Sequence, residues 1–237
     1  MRSWFIGLIL TLCAACALAQ SPMGGITGAT NPVHVNGFGN TTGSCGGVGT
    51  CVVNVSMTGY VNPNWIVAVC TGNQNYACVI TSSSGTVTNR TSFADVTNAF
   101  RTTVATITGA TTGTVTITCT GTTMFRTSCI ADQYSNISGF DIASSTTWAG
   151  GTVSTSVTAT AITTTVNGDL CEGIAVDEAA NGTIPSATAP FAYTTTNDGV
   201  FPVVSSYYVQ GTAGSISSAW TGFNAIAVPV AATVCLI

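Results

Sequence analysis

Thr50-Cys51-Val52-Val53-Asn54-Val55-Ser56-Met57-Thr58 decides the fold class. Cys51, Val53, Val55 and Met57 take every second position, and Val52, Asn54, Ser56 and Thr58 fill the positions between. Successive side chains of an extended chain point to opposite faces, so this stretch buries one face and leaves the other in water. The same period returns where Val115, Ile117 and Cys119 alternate with Thr114, Thr116, Thr118 and Thr120. It returns again where Val153, Thr155 and Val157 alternate with Thr152, Ser154 and Ser156. Threonine suits the wet face, because its branched Cβ favours the extended backbone while its hydroxyl keeps water. Trp65 to Cys70 and Ile226 to Val234 are continuously apolar and read as strands covered on both faces.

No segment carries a helical period. Asn-Gly and Asp-Gly steps at Asn36-Gly37, Asn167-Gly168, Asn181-Gly182 and Asp198-Gly199 mark turns, because such pairs accept the positive φ of tight hairpins. Asn167-Gly168 predicts a hairpin between Ala161–Val166 and Leu170–Val176. The expected fold is all-β, an antiparallel β-sandwich of jelly-roll type with about a dozen strands. Composition does not change along the chain, so residues 32–237 read as a single domain after a Gly-rich flexible leader over residues 20–31.

The N-terminus reads as a secretory signal. Met1-Arg2 is a minimal positive start, Trp4 to Ala15 is apolar, and Ala17-Leu18-Ala19 is a small-x-small cleavage site that leaves Gln20 first. The rival is a lipidated Cys16, which lacks the usual Leu three positions earlier. No later stretch reaches the ~18 apolar residues of a membrane-spanning helix. The expected location is therefore secreted or on an extracytoplasmic surface.

Charged residues make up 5% of this chain, against about 25% in ordinary globular proteins. Disorder does not follow, because 46% of the residues are hydrophobic. There is no lysine, and beyond the signal the cations are Arg90, Arg101 and Arg126, with His34 the single histidine. A net charge of −4 argues against nucleic acid, which needs a basic footprint. With one imidazole and no CxxC pair, metal binding is not expected, nor is any cofactor. There is no G-x-S-x-G elbow and no H-E-x-x-H helix. His34 lies between Val33 and Val35 in an expected strand and reads as a structural side chain.

Eight cysteines remain after the signal, an even number that favours disulfides in a secreted chain. Proximity suggests Cys45–Cys51, Cys70–Cys78 and Cys119–Cys129 across loops, leaving Cys171–Cys235 to tie a central strand to the last one. Cys70 and Cys78 bracket an apparent hairpin tip.

Asp169, Glu172, Asp177 and Glu178 hold half of the acids. Paired carboxylates flanking a bond could hydrolyse a glycoside, which makes Glu172 with Asp132 or Glu178 the candidate pair for an extracellular polysaccharide hydrolase. The plainer reading is a strand with charged ends, with Asp132 and Asp141 as turn or edge residues. Trp65 is expected in the core. Trp148, in a turn-like Ser/Thr/Gly stretch, and Tyr193 are the candidates for stacking on sugar rings.

The order of motifs from Val33 to Val234 resembles bacterial secreted lectin-like domains of the concanavalin type. Asn62-Pro63-Asn64-Trp65-Ile66-Val67-Ala68-Val69 stands for their early apolar strand, and Ser83-Ser84-Gly85-Thr86-Val87-Thr88 for the turn that follows. Gly113-Thr114-Val115-Thr116-Ile117-Thr118 stands for a Gly-led strand, and Gln133-Tyr134-Ser135-Asn136 for an E-Y-S-G element whose acid is Gln here. Thr163-Thr164-Thr165-Val166-Asn167-Gly168-Asp169-Leu170-Cys171-Glu172-Gly173 stands for a long T-rich strand motif, and Trp220 with Ala225–Val230 for the closing element. The resemblance implies a lectin-like sandwich at the cell exterior and carries no catalytic residue. The expected function is non-catalytic adhesion or glycan binding, with a glycan or other surface polymer as partner. The alternatives are the hydrolase above and a self-associating structural subunit of a surface layer or fibre.

Overall fold

The structure is a computed structural model that describes residues 30–41, 50–73, 78–94, 100–122, 126–145, 153–177, 184–196, 202–224 and 228–237. Residues 31–237 form one compact unit. Among the described residues there are 18 strands and no helix, so the all-β, antiparallel expectation holds and the strand number was set too low.

The first eight strands are β1 (Val33–Thr41), β2 (Thr50–Tyr60), β3 (Trp65–Asn73), β4 (Cys78–Ser82), β5 (Thr86–Ala94), β6 (Phe100–Thr108), β7 (Gly113–Thr122) and β8 (Thr127–Ser135). The next six are β9 (Phe140–Ser145), β10 (Ser156–Thr158), β11 (Ile162–Thr163), β12 (Asp169–Val176), β13 (Ser186–Ala187) and β14 (Ala192–Thr196). The last four are β15 (Val203–Gln210), β16 (Ser215–Ile216), β17 (Ala219–Thr221) and β18 (Val230–Leu236).

These strands build a stack of layers. The central sheet has the order β1-β8-β3-β6-β5. A three-stranded sheet, β2-β7-β4, covers one of its faces, and a five-stranded sheet, β14-β15-β12-β18-β9, covers the other. The small sheets β10-β17-β13 and β11-β16 then close the far side of that second five-stranded sheet.

Sequence pattern and layer agree. In β2 the inward Cys51, Val53, Val55 and Met57 are buried and the positions between them are exposed, as a strand with one wet face requires. They meet Ile66, Ala68, Cys70, Ala105, Ile107, Cys129 and Ala131 of the central sheet. The other face of that sheet, with Val67, Val69, Val104 and Ile130, meets Leu170, Ile174, Val176, Val230 and Val234. Strands β3, β8, β12 and β18 are thus buried at successive positions because each is covered twice. Each buried aliphatic side chain contributes about 1.5–3 kcal/mol by leaving water.

Two turn readings need correction. Asn36-Gly37 lies inside β1, and its glycine is required by a close approach described below. Asn167-Gly168 is a turn, with Gly168 at φ +88° and the Asn167 side chain accepting the Ala213 N–H. It joins no hairpin, because β11 pairs with β16 while β12 pairs with β15 and β18. Asn181-Gly182 and Asp198-Gly199 lie outside the described residues. Cys70 and Cys78 do not flank a hairpin either, since β3 and β4 belong to different sheets.

Candidate functional site

Strand β8 alternates Ile130, Asp132 and Tyr134 on the face that meets the second five-stranded sheet, and all three are fully buried. Asp132 is therefore the centre of a covered strand, not the turn or edge residue expected. A carboxylate in that place must be hydrogen-bonded or neutralised. Its Oδ1 takes the Nε2 of His34 at 3.0 Å and the Thr195 hydroxyl, and its Oδ2 accepts the Ser205 hydroxyl at 2.6 Å.

Two β-bulges assemble these donors. An extra residue in one strand shifts which side chains share a face. In β1 the irregularity between His34 and Asn36 pairs His34 with Tyr134 and Gly37 with Asp132. His34 and Gly37 are an odd number of positions apart, and the bulge brings both beside the inward face of β8. In β14 the irregularity between Tyr193 and Thr195 sets Thr195 opposite Ser205. Gly37 leaves room for the result: a Cβ there would overlap the Thr195 Oγ1 and collide with the Asp132 Oδ1.

Glu172 projects from β12 into the same layer and is fully buried. Burial pushes its carboxyl well above the usual 4.5, and the neighbouring Asp132 pushes it further, against a smaller opposing effect of the Tyr134 hydroxyl. Neither Glu172 oxygen, nor the Tyr134 hydroxyl, completes a hydrogen bond of good geometry. Burial and the two carboxyls likewise push the Tyr134 phenol well above its usual value. The ring of His34 stacks on Tyr207 at 5.2 Å and meets Tyr134 edge-on at 5.3 Å, closing the cluster toward solvent. The His34 side chain retains 17% exposure while Asp132 has none.

A second pair of acids lies on the opposite face of the same sheet. Asp141 of β9 accepts the Thr165 N–H at 2.8 Å and the Thr165 hydroxyl at 2.7 Å. Burial pushes the Asp141 carboxyl up, but these bonds and the Asp169 carboxyl outweigh it and hold it below the usual range. Asp169 goes the other way, raised from 3.8 to about 7 by burial and by Asp141.

The acidic stretch therefore divides between faces: Glu172 turns inward to Asp132, and Asp169 outward to Asp141. Both are fully buried, so the reading of a strand with charged ends fails. The structure does bring Glu172 and Asp132 together, but with both residues at zero exposure. Glu178 and Trp148 lie outside the described residues, and the side chain of Tyr193, on β14, does too. Trp65 is half-buried against the core, as expected.

Of the cysteines, Cys171 and Cys235 form a disulfide between directly opposed residues of β12 and β18. Cys51 is a half-cystine, and Cys45 lies outside the described residues. Cys70, Cys78, Cys119 and Cys129 are buried thiols here, so the two pairings suggested for them are not formed in this structure. Among the described residues, no group of three or more His, Cys, Asp or Glu side chains is placed to hold a metal ion. No described helix is long and apolar enough to cross a membrane.

No protein-family model, no curated protein and no solved structure matches this chain.

Proposed function

We propose that the chain is a secreted, non-catalytic β-sandwich protein that binds neutral glycan outside the cell through the outer face of the β2-β7-β4 sheet. One observation carries this reading: the face is uncharged and ordered in rows. Val52, Thr120 and Val79 align across the three strands, then Asn54, Thr118 and Thr81, then Ser56 with Thr116. These side chains are exposed or half-exposed. Rows on such a sheet repeat about every 6.8 Å along a strand and about every 4.8 Å across strands. Hydroxyls and one amide offer donors and acceptors, and Val52 and Val79, 46% and 52% exposed, offer apolar contact. A neutral polyhydroxylated polymer presents the same two kinds of surface.

The burial of Glu172 and Asp132 supports binding over hydrolysis, because a carboxyl pair must reach its substrate to act. The test is co-sedimentation of the protein with insoluble neutral polysaccharides, comparing the parent with Ser56→Arg and Thr116→Arg. An unpaired charge pressed against a neutral surface loses its water, so retention should fall at least about tenfold. Unchanged retention in both variants, with loss in Trp148→Ala or Tyr193→Ala, would move the site to the aromatic positions and sink this one.

A further inference from the structure

Asp132 stands on β8 of the central sheet, and Thr195 on β14 at the edge of the second five-stranded sheet. The two are 63 positions apart in sequence, yet the Thr195 hydroxyl donates to Oδ1 of the Asp132 carboxylate. Asp132 is fully buried there and Thr195 nearly so. The backbone at Gly37 passes so close that a Cβ would overlap the Thr195 Oγ1, so the space for this approach exists only with glycine in β1. We propose that, once the chain has folded, the Thr195 hydroxyl and the Asp132 carboxyl condense into an ester that cross-links the two sheets.

The groups such a condensation needs already surround the carboxyl. Thr195 is the nucleophile. Ser205 donates to Oδ2 at 2.6 Å, so a donor is in place for the negative charge that gathers on Oδ2 when the carboxyl carbon is attacked. Nε2 of His34 lies 3.0 Å from Oδ1, and its side chain keeps 17% exposure, so the imidazolium takes its proton from solvent and passes it to the oxygen that leaves. As Thr195 Oγ1 bonds to Asp132 Cγ, the hydroxyl proton moves to Oδ1. His34 gives Oδ1 a second proton, the Cγ–Oδ1 bond breaks, and one water departs. Oδ2 remains as the ester carbonyl. One carboxylate, one hydroxyl and one proton become one ester and one water, with no change of oxidation state and no further reactant.

The surroundings favour the ester over the free pair. Groups held in contact behave as if at about 10⁵–10⁸ M, far above the molarity of liquid water, so condensation competes with hydrolysis. Asp132, Ser205 and Glu172 have no exposure, so water has little access to reverse the step. Burial keeps Glu172 protonated, so no second negative charge opposes the reacting carboxyl. With no lysine in the chain, an amide from a lysine side chain is not open to this carboxyl, and a hydroxyl is the nucleophile the site supplies.

Mass spectrometry of the full secreted chain, reduced and alkylated, tests this. The expected mass is one water below that of the sequence. Cleavage after arginine and after aromatic residues places Asp132 on 127–134 and Thr195 on 194–201. These two peptides should appear joined, one water lighter than their sum, and mild alkali, which hydrolyses esters and spares peptide bonds, should part them. Thr195→Val should regain the water, and Thr195→Ser, which keeps the hydroxyl, should still lose it. Recovery of 127–134 and 194–201 from the parent as separate peptides of full mass would overturn the proposal, whatever the variants do. So would a water loss that maps to any other pair of peptides.

Discussion

Glu172→Gln is the substitution that separates a buried acid held for structure from an ordinary surface acid. The carboxyl is fully buried and, by burial first and the adjacent Asp132 second, holds its proton above its ordinary range near 4.5. In the unfolded chain the proton leaves in that ordinary range. Above it, the folded state therefore binds one proton more than the unfolded state, and stability must fall as pH rises. One proton corresponds to about 1.4 kcal/mol for each pH unit, for as long as the folded carboxyl stays protonated. The glutamine side chain would mimic the protonated form in shape and has no proton to lose. Denaturant unfolding of parent and variant at pH 4 through 8 gives two curves. They should lie together near pH 4 and then diverge, the variant growing more stable relative to the parent by up to that slope. Parallel curves would mean that Glu172 ionises alike in both states, and the account of the inter-sheet layer would be wrong.

Gly37→Ala should cost about 1–3 kcal/mol in denaturant unfolding, because its Cβ would occupy the place of the Thr195 hydroxyl and press on Asp132. Asp132→Ala, which strands His34, Thr195 and Ser205 together, should cost about 3–5 kcal/mol and lower the melting temperature more than His34→Ala does. Carboxyl NMR should find Asp169 titrating near 7, and Asp141→Asn should move that midpoint down by removing the neighbouring charge. Since the folded value exceeds the unfolded one, Asp169 adds to the loss of stability as pH rises from 3.8 toward about 7.

The strands were legible because their chemistry is local. Period-two runs such as Cys51 to Met57 announce one buried face, and unbroken runs such as Trp65 to Cys70 announce two. The order of the layers was not legible, since a twice-covered strand looks the same whichever sheets cover it. Of the Asp132 cluster only the pairing with Glu172 was named, and the rest was missed for a related reason. Its parts come from β1, β8, β12, β14 and β15, and two bulges set the parity that brings them together. A polar residue between Ile130 and Tyr134 in an otherwise buried strand was the available signal, and it read as a turn because Ser135 to Gly139 follows. Asn36-Gly37 misled in the opposite sense: the glycine answers to the space taken by Thr195, not to a hairpin. The Cys171–Cys235 pair was found by elimination, and the structure places the two directly opposite each other.

The most direct measurement of the central claim is to incubate the purified protein with a panel of neutral and anionic polysaccharides and score each tube for bound protein and for released sugar. The account predicts retention on neutral polymers, little changed by salt because the contact face is uncharged, with no sugar released. Release of sugar that disappears in Glu172→Gln would contradict it, and would show that the buried carboxyls open to substrate.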